Sequence, residues 1–262
     1  MAEEPPPWGL RAALAPLEQA LLDAHRGLGE GLVRMRTDPG GEEAFPAALL
    51  LRDPSDLLPL DRAALAHARG RVLDVGAGGG AVALAFQAAG HPVTALEIMP
   101  GAVEVMRARG VDDAREGDVW RFRAEGGYDT VVALMNGTGL AGTLERLPSF
   151  LVRLASFVGV AGQVLLDSTD PGEESGSDGR HPGELHYQLA YGDAVGAPFP
   201  YLLVAPTELA GAAGSVGLTC EVVAEDGEGS YLARLSRGLR PAPPASGLGS
   251  APTPAPRRRS GP

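Results

Sequence analysis

A doubly wound α/β fold, with a mostly parallel sheet and helices on both faces, is predicted for this 262-residue chain on three observations. From residue 71 onward, short aliphatic runs alternate with longer apolar-periodic segments, the pattern of βαβ units whose strands run parallel. The longer segments are punctuated as helices are: Pro100 opens one, and Gly90 and Gly110 close two. Proline is preorganised for a first helical turn, and glycine for the left-handed residue beyond the last. Hydrophobic residues make up 44% and charged residues 21% of the chain, a globular balance that excludes wholesale disorder.

The elements follow in order. Leu10, Leu14, Leu17 and Leu21 recur at three-to-four spacing, a stripe continued by Leu28 and Leu32, and predict a helix over 10–26 that Pro16 interrupts. Gly27, Gly29 and Gly31 weaken helix, and 37–43 reads as a turn. A second helix is expected from about Asp61, with its carboxylate capping the amide of Ala63 or Ala64, and ends by Gly70. Then come a strand at 72–75, a helix at 81–89, a strand at 93–97, a helix at 100–109, a short strand at 114–116, a buried strand at 130–135, a helix at 148–158 and a strand at 163–166. Beyond Asp167 the pattern changes. Residues 171–183 read as an exposed loop, 184–191 and 200–204 as β segments joined by a turn-rich 192–198, and Thr207 as the cap of a helix. Strands at 219–224 and 231–235 flank a turn and form an antiparallel hairpin. The organisation expected is a helical extension over 1–60 acting as a lid, a main domain over 61–238 with a β insertion at about 171–205, and a disordered tail over 239–262. The chain contains no internal repeat.

Charge narrows the partners. The net charge is −11, and residues 241–262 carry three arginines and no acid, so residues 1–240 hold 19 bases against 33 acids, a net of −14. Such a body repels phosphate backbones, and no nucleic-acid partner is expected. Arg257, Arg258 and Arg259 read as a solvated end. The start has neither a basic segment nor an apolar run, and no stretch is long enough to span a bilayer, so a soluble, cytoplasmic protein is expected. Cys220 stands alone, which excludes an internal disulfide, and reads as a small apolar strand residue. His25, His67 and His181 show no metal-ligand spacing and His91 reads as a turn residue, so no metal is expected. Trp8 and Trp120 read as apolar anchors.

The chemistry is concentrated in Val72-Leu73-Asp74-Val75-Gly76-Ala77-Gly78-Gly79-Gly80. A buried strand turns through glycines into a helix, where the backbone takes tight dihedrals and a ligand approaches main-chain atoms with no Cβ in the way. Gly76, Gly78 and Ala81 also satisfy the G-x-G-x-x-G/A pattern of dinucleotide sites, and Glu97, 21 residues after Gly76, suits any ribose. Asp74 separates the readings. A pyrophosphate does not welcome a carboxylate two residues before the first glycine, whereas a cofactor carrying a sulfonium and an ammonium tolerates it. Gly117-Asp118-Val119-Trp120 agrees, because an acid there accepts from an adenine amino group while an apolar neighbour packs on the ring.

On these residues the chain resembles the class I S-adenosylmethionine-dependent methyltransferase superfamily, strongly over 71–170 and weakly through the closing hairpin. The resemblance implies a Rossmann-like, seven-stranded, mostly parallel sheet closed by that hairpin. It also implies that Asp74, Gly76, Ala77 and Gly78 line the methionine end of the cofactor, Glu97 and Ile98 hold the ribose, and Asp118 and Val119 read the adenine. Tyr128 to Asn136 resembles the fourth-strand motif, which places Met135 and Asn136 beside the transferred methyl. Asn136-Gly137-Thr138-Gly139-Leu140 is similar to a stretch in certain bacterial members. Met135-Asn136-Gly137-Thr138 departs from the Asn/Asp-Pro-Pro-Tyr motif of enzymes that methylate base or glutamine amines, which disfavours that chemistry.

The function expected is in-line methyl transfer to a small-molecule acceptor, in which alignment matters more than acid–base work. If a general base acts, Asp167 and Asp170 at the end of the fifth parallel strand are the best-placed carboxylates. Asn136 faces the reacting methyl by the same resemblance. Tyr187 is a candidate wall of the acceptor pocket; alternation puts it on one strand face with Leu189 and Tyr191, and His186 on the other with Gln188. Two alternatives stand beside this: a non-catalytic S-adenosylmethionine-binding protein, and an NAD(P)-dependent oxidoreductase, against which Asp74 and Asp118 count.

Overall fold

The fold was obtained as a computed structural model that describes residues 9–38, 40–172 and 180–238. The predicted tail 239–262, Trp8 and residues 173–179 of the predicted loop lie outside them.

The N-terminal segment differs in part from expectation. The leucine stripe is carried by α1 (Leu10–Ala13) and α2 (Ala15–His25), divided where Pro16 occupies the first turn of the second helix. Beyond it the chain is not helical: β1 (Leu32–Asp38) and β2 (Glu42–Pro46) form a hairpin across the predicted turn, which Thr37 N closes by donating to Gly41 O at 2.9 Å. Three glycines end the helix, and the sequence then switches period, with Val33 and Met35 turned inward and Arg34 and Arg36 outward. Leu28 and Leu32, the tail of the apparent stripe, are 70% and 58% exposed. A 3-10 turn, Ala47–Leu51, leads to α3 (Pro59–His67). Asp61 lies inside the first turn of α3 and accepts backwards from Leu58 N at 3.2 Å, so it caps the entry to the helix and not Ala63 or Ala64.

Next come β3 (Val72–Val75), α4 (Ala81–Ala88), β4 (Val93–Glu97), α5 (Pro100–Arg109), β5 (Ala114–Glu116), β6 (Tyr128–Ala133), α6 (Leu147–Phe157) and β7 (Val158–Thr169). The chain then forms β8 (Glu184–Tyr191), β9 (Ala194–Val195), β10 (Phe199–Leu202), α7 (Pro206–Ser215), β11 (Leu218–Glu225) and β12 (Ser230–Arg237). Thr207 is within the first turn of α7; Ala205 precedes the helix, and Glu208 Oε2 accepts from its amide at 2.9 Å.

The main sheet has the order β11-β12-β7-β6-β3-β4-β5, parallel from β7 through β5 and antiparallel at β12 and β11. Strand residues alternate between two apolar layers. Leu73, Val131 and Val164 pack toward α6 and α7, and Val72, Val132 and Leu165 toward α3, α4 and α5. A second, antiparallel sheet, β10-β8-β1-β2 with β9 on β8, joins the N-terminal hairpin to the predicted β insertion. With α2 and the start of α5 it encloses a third apolar cluster, which includes Leu21, Val33, Met99, Leu189 and Phe199.

Candidate functional site

The order of strands reverses at β3: its next neighbour in sequence lies on one side and β6 on the other. Open α/β sheets place ligands outside the carboxyl ends of the strands at such a point. A cleft of about 1080 Å³ opens there, between the ends of β3, β4 and β6 and the antiparallel sheet. Asp74, Gly76, Ala77, Gly78, Glu97, Ile98, Asp118, Val119, Met135, Asn136 and Tyr187 all line it, so residues far apart in sequence converge on one space.

The glycine bend after β3 has φ of 74° at Gly76, 55° at Gly78 and 81° at Gly80, left-handed conformations that L side chains rarely adopt. Gly79 is required for another reason. A Cβ there would lie 2.4 Å from Leu50 O, so the 3-10 turn can rest on the bend only because no side chain intervenes. Arg109 of α5 fastens the two together, donating to Gly79 O, to Leu51 O at 2.8 Å and to Arg52 O at 2.7 Å.

Glu97 ends β4 with its side chain turned to the main chain. Oε2 accepts from Gly78 N at 2.8 Å, and Oε1 from Ile98 N at 2.7 Å and Met99 N at 3.0 Å. The carboxylate therefore fixes the glycine bend to the start of the next loop. Burial raises its pKa, and the three backbone donors oppose that rise. Asp74 contrasts with it: 3% exposed, its Oδ2 has no hydrogen-bond partner among the described residues. Burial first, and then the charges of Asp61 and Glu97, raise its pKa to about 7. Asp118 lies half-buried at the far end of the cleft, where its Oδ1 accepts from Trp120 N at 2.9 Å. Trp120 anchors this end by packing on Phe150, and Arg146 lies over its indole.

After β6 the chain takes two consecutive left-handed residues that are not glycine, Met135 at φ 63° and Asn136 at φ 62°. Such strain persists only where the surroundings impose it. Asp167 does so from β7: its Oδ2 accepts from Met135 N at 3.0 Å and Oδ1 from Gly137 N at 2.8 Å. Burial pushes its pKa up to about 6 against those hydrogen bonds. Tyr201 of the antiparallel sheet braces the same loop, its hydroxyl donating to Met135 O at 3.2 Å and Asn136 O at 3.0 Å. Asn136 Oδ1 accepts from the Thr169 hydroxyl at 2.8 Å. Asp167 thus lies behind the loop with both oxygens engaged and does not line the cleft. Neither does Asp170, whose Oδ1 accepts from Gly172 N at 2.9 Å.

The opposite wall comes from the antiparallel sheet and α1. Tyr187 stacks on Tyr201 with ring centroids 4.4 Å apart, Phe199 meets it edge-on, and Met35, Phe45, Leu10 and Leu14 complete an apolar surface. Leu189 shares this wall with Tyr187, as strand alternation predicts. Glu18 of α2 holds the wall to the parallel half by accepting from Gly101 N in the first turn of α5, where the helix end favours an anion.

Three residues of the site carry no assignment from the sequence, Glu18, Arg52 and Tyr201, and Asp61, expected only as a helix cap, proves to be the ion-pair partner of Arg52. Arg52 is buried and ion-paired, its Nη2 lying 2.6 Å from Asp61 Oδ2. Nothing in Leu51-Arg52-Asp53-Pro54 marks it out, because its partners Asp61 and Arg109 come from other elements. Tyr201 had a signal, an aromatic at alternating spacing in a predicted β segment, but its partner loop is distant in sequence. Among the described residues, no group of three or more His, Cys, Asp and Glu is placed to hold a metal, and no helix is long and apolar enough to cross a membrane.

These features describe a pocket for a nucleoside joined to a cationic amino acid. Carboxylates at the ends of two strands and an unpartnered buried acid beside a bare backbone bend suit such a ligand. The comparisons agree. A family model described as a methyltransferase domain matches residues 73–138. The chain is similar to the crystal structure of an S-adenosylmethionine-dependent methyltransferase from Bacteroides fragilis in complex with S-adenosyl-L-homocysteine. Identity is 35%, with 87% of this chain and 97% of that one covered and a TM-score of 0.79. This chain accordingly belongs to the S-adenosylmethionine-dependent methyltransferases.

More distant structures agree in fold alone. The CcbJ methyltransferase from Streptomyces caelestis is 16% identical over 72% of this chain and 93% of its own, with a TM-score of 0.53. A methyltransferase from Clostridium acetobutylicum is 8% identical over 71% and 94%, at 0.52. No curated protein matches the chain. The protein is an enzyme whose cofactor is S-adenosylmethionine.

Proposed function

We propose that the enzyme methylates a small, largely apolar molecule held between the glycine bend and the antiparallel sheet. The observation that carries this reading is the division of the cleft. Its parallel-sheet wall presents carboxylates and bare backbone, whereas its other wall presents Tyr187, Phe199, Met35, Phe45 and Leu14 with few polar groups. A cleft walled on both sides by packed elements admits a small molecule more readily than a duplex or a folded protein, and the acidic chain repels nucleic acid.

Asp74, Gly76, Ala77 and Gly78 are assigned to the methionine end, Glu97 and Ile98 to the ribose, and Asp118 and Val119 to the adenine. Glu97 serves twice, since Oε2 has spent one acceptor position on Gly78 and retains another for a ribose hydroxyl. The bound cofactor supplies an electrophilic methyl group whose displacement leaves a neutral thioether. The chain's part is alignment and exclusion of water. Met135 and Asn136 border the position of transfer, and Asp167 is a positioning residue that holds them in their left-handed conformation. Asp167 and Asp170, engaged by backbone amides and set outside the cleft, are not assigned as bases to the acceptor's nucleophile. Tyr187 and its neighbours orient the acceptor.

The test is incubation of the protein with methyl-labelled S-adenosylmethionine and a panel of small aromatic and aliphatic nucleophiles. The label is expected in the small-molecule fraction. Label transferred only to protein or nucleic acid would overturn the acceptor class. Tight cofactor binding with no transfer to any acceptor would favour a regulatory role.

A further inference from the structure

The polar atoms of Met135 and Asn136 are unevenly committed. Both carbonyl oxygens accept from the Tyr201 hydroxyl, at 3.2 and 3.0 Å, and Asn136 Oδ1 accepts from the Thr169 hydroxyl at 2.8 Å. Tyr201 is held in place for this, since its ring fills the space that a Cβ on Gly139 would need and stacks on Tyr187. Thr169 is in turn hydrogen-bonded to the Ser230 hydroxyl at 2.9 Å, so the Asn136 amide is fixed with its oxygen turned to β7. Its Nδ2 has no hydrogen bond among the described residues and belongs to a side chain that lines the cleft. The loop therefore offers one free donor, while each of its acceptor atoms is already engaged.

This arrangement sorts nucleophiles. An alkyl amine is protonated near neutrality, must shed a proton before it reacts, and still carries N–H groups that need acceptors. A hydroxyl that ionises by itself brings no hydrogen and accepts from Nδ2 in a charge-assisted bond. Asp167 and Asp170 lie outside the cleft, so an acceptor that arrives ionised suits the site. The facing wall is aromatic: Tyr187 packs on Tyr201 and Phe199, with Met35 and Phe45 also lining the cleft. A carboxylate concentrates its charge on two oxygens and calls for several donors, whereas a phenolate spreads its charge into an apolar ring and calls for fewer.

We infer that the acceptor is an aromatic molecule with an acidic hydroxyl, bound ionised and methylated on that oxygen, and that the Asn136 side-chain amide is the donor that selects it. The inference rests on the reading above that Met135 and Asn136 border the position of transfer. The acceptor's proton passes to solvent when it ionises. Its oxygen then forms the bond to the methyl carbon as the carbon–sulfur bond breaks, and the electron pair stays on sulfur, so the products are a methyl ether and a neutral thioether. Asn136 is the specificity-determining residue, and Thr169 is a positioning residue that keeps the amide nitrogen toward the cleft.

The experiment is transfer from methyl-labelled S-adenosylmethionine, near neutral pH, to aromatic probes that share a skeleton and differ in the nucleophile. These are a nitro-substituted phenol, benzylamine and benzoate, and the corresponding hydroxy, aminomethyl and carboxy naphthalenes and anthraquinones, with mass spectrometry locating the methyl group. Wild type is expected to form methyl ethers from hydroxy probes, with kcat/KM for the matched amines and carboxylates lower by about 10-fold or more. Asn136→Asp keeps the left-handed conformation that both residues tolerate, but sets an anion where the donor stood. It should lower kcat/KM for the hydroxy probes roughly 10- to 100-fold, the range for one charge-assisted hydrogen bond, and shift preference toward the amines. Its melting temperature checks that it is folded. Faster transfer by wild type to amines or carboxylates would overturn the inference and leave the small-molecule reading standing, a result that needs no variant. Absence of a methyl ether from every hydroxy probe would also overturn it, and label entering only protein or nucleic acid would overturn both. Undiminished transfer to the hydroxy probes by Asn136→Asp would overturn the part given to Asn136.

Discussion

The two walls of the cleft are built on different principles. On the parallel-sheet side, polar side chains are spent on the backbone: Glu97 holds three amides and Asp167 two, so main-chain positions around the bend and the Met135–Asn136 loop are set by carboxylates from neighbouring strands. On the antiparallel side the aromatic and aliphatic surfaces pack on one another, and Tyr201 reaches across to the loop. A wall fixed by buried charged hydrogen bonds is rigid and intolerant of exchange, whereas one made of packed apolar groups adapts to substitutions of similar volume. This division suits an invariant cofactor on one side and a family-specific acceptor on the other.

The comparison breaks most sharply at Glu97. Glu97→Ala should lower the unfolding free energy by about 2–4 kcal/mol, because three amides lose their acceptor at once, and weaken S-adenosylhomocysteine binding besides. Denaturant titration and calorimetry measure the two effects, and unchanged stability in the variant would contradict the bracing role. Asp167→Asn should cost about 1–3 kcal/mol, since an amide places a donor against one of the two backbone donors it now accepts from. If Asp167 were instead a general base, the variant would keep its stability and lose turnover alone.

Tyr201→Phe should cost about 0.5–1.5 kcal/mol and leave cofactor affinity nearly unchanged. Tyr187→Ala is expected to raise the acceptor KM with little effect on cofactor affinity, and a large loss of S-adenosylhomocysteine binding would mean that the walls are not divided as described.

The same comparison has a pH signature. Asp74 and Asp167 have folded pKa values raised to about 7 and about 6. Between the unfolded carboxylate range and those values the folded protein holds protons that the unfolded chain has released. The contribution of these two groups to stability is therefore present at low pH, falls as pH rises through about 4 to 7 and is level above that. A cation beside Asp74 favours its ionised form, so S-adenosylmethionine should bind more tightly as pH rises through 7 and release protons. Titrations in buffers of different ionisation enthalpy detect that release, and its absence near pH 6.5 would remove Asp74 from contact with the ligand.

The rigid wall was also the legible one. Strand β3 and the left-handed bend follow from a demand that few residue types meet, glycine where φ is positive, and Glu97 and Asp118 stood out as acids at the ends of strands beside it. Strands β3, β4 and β5 and helix α5 lie where periodicity placed them. The adaptable wall was partly legible. The β segment at 184–191 was read, but β1 and β2 were hidden because a leucine stripe runs on into residues 28 and 32, and Val33 and Met35 alternate too briefly to stand against it. The strand character of β1 is settled by pairing with β8, about 150 residues away in sequence, which no local pattern expresses. Asp61 and Thr207 were read as helix caps, yet both sit within first turns, because Pro59 and Pro206 start the helices earlier. For Asp167, position at a strand end was readable, but its commitment to Met135 and Gly137 depends on a loop conformation that the sequence alone does not display.

The most direct test of the two-wall account is hydrogen exchange measured with and without S-adenosylhomocysteine. Protection is expected at the amides of residues 76–80, 97–99 and 117–120, with little change in β8 and β10. Protection confined to the antiparallel strands, with the glycine bend unchanged, would contradict it.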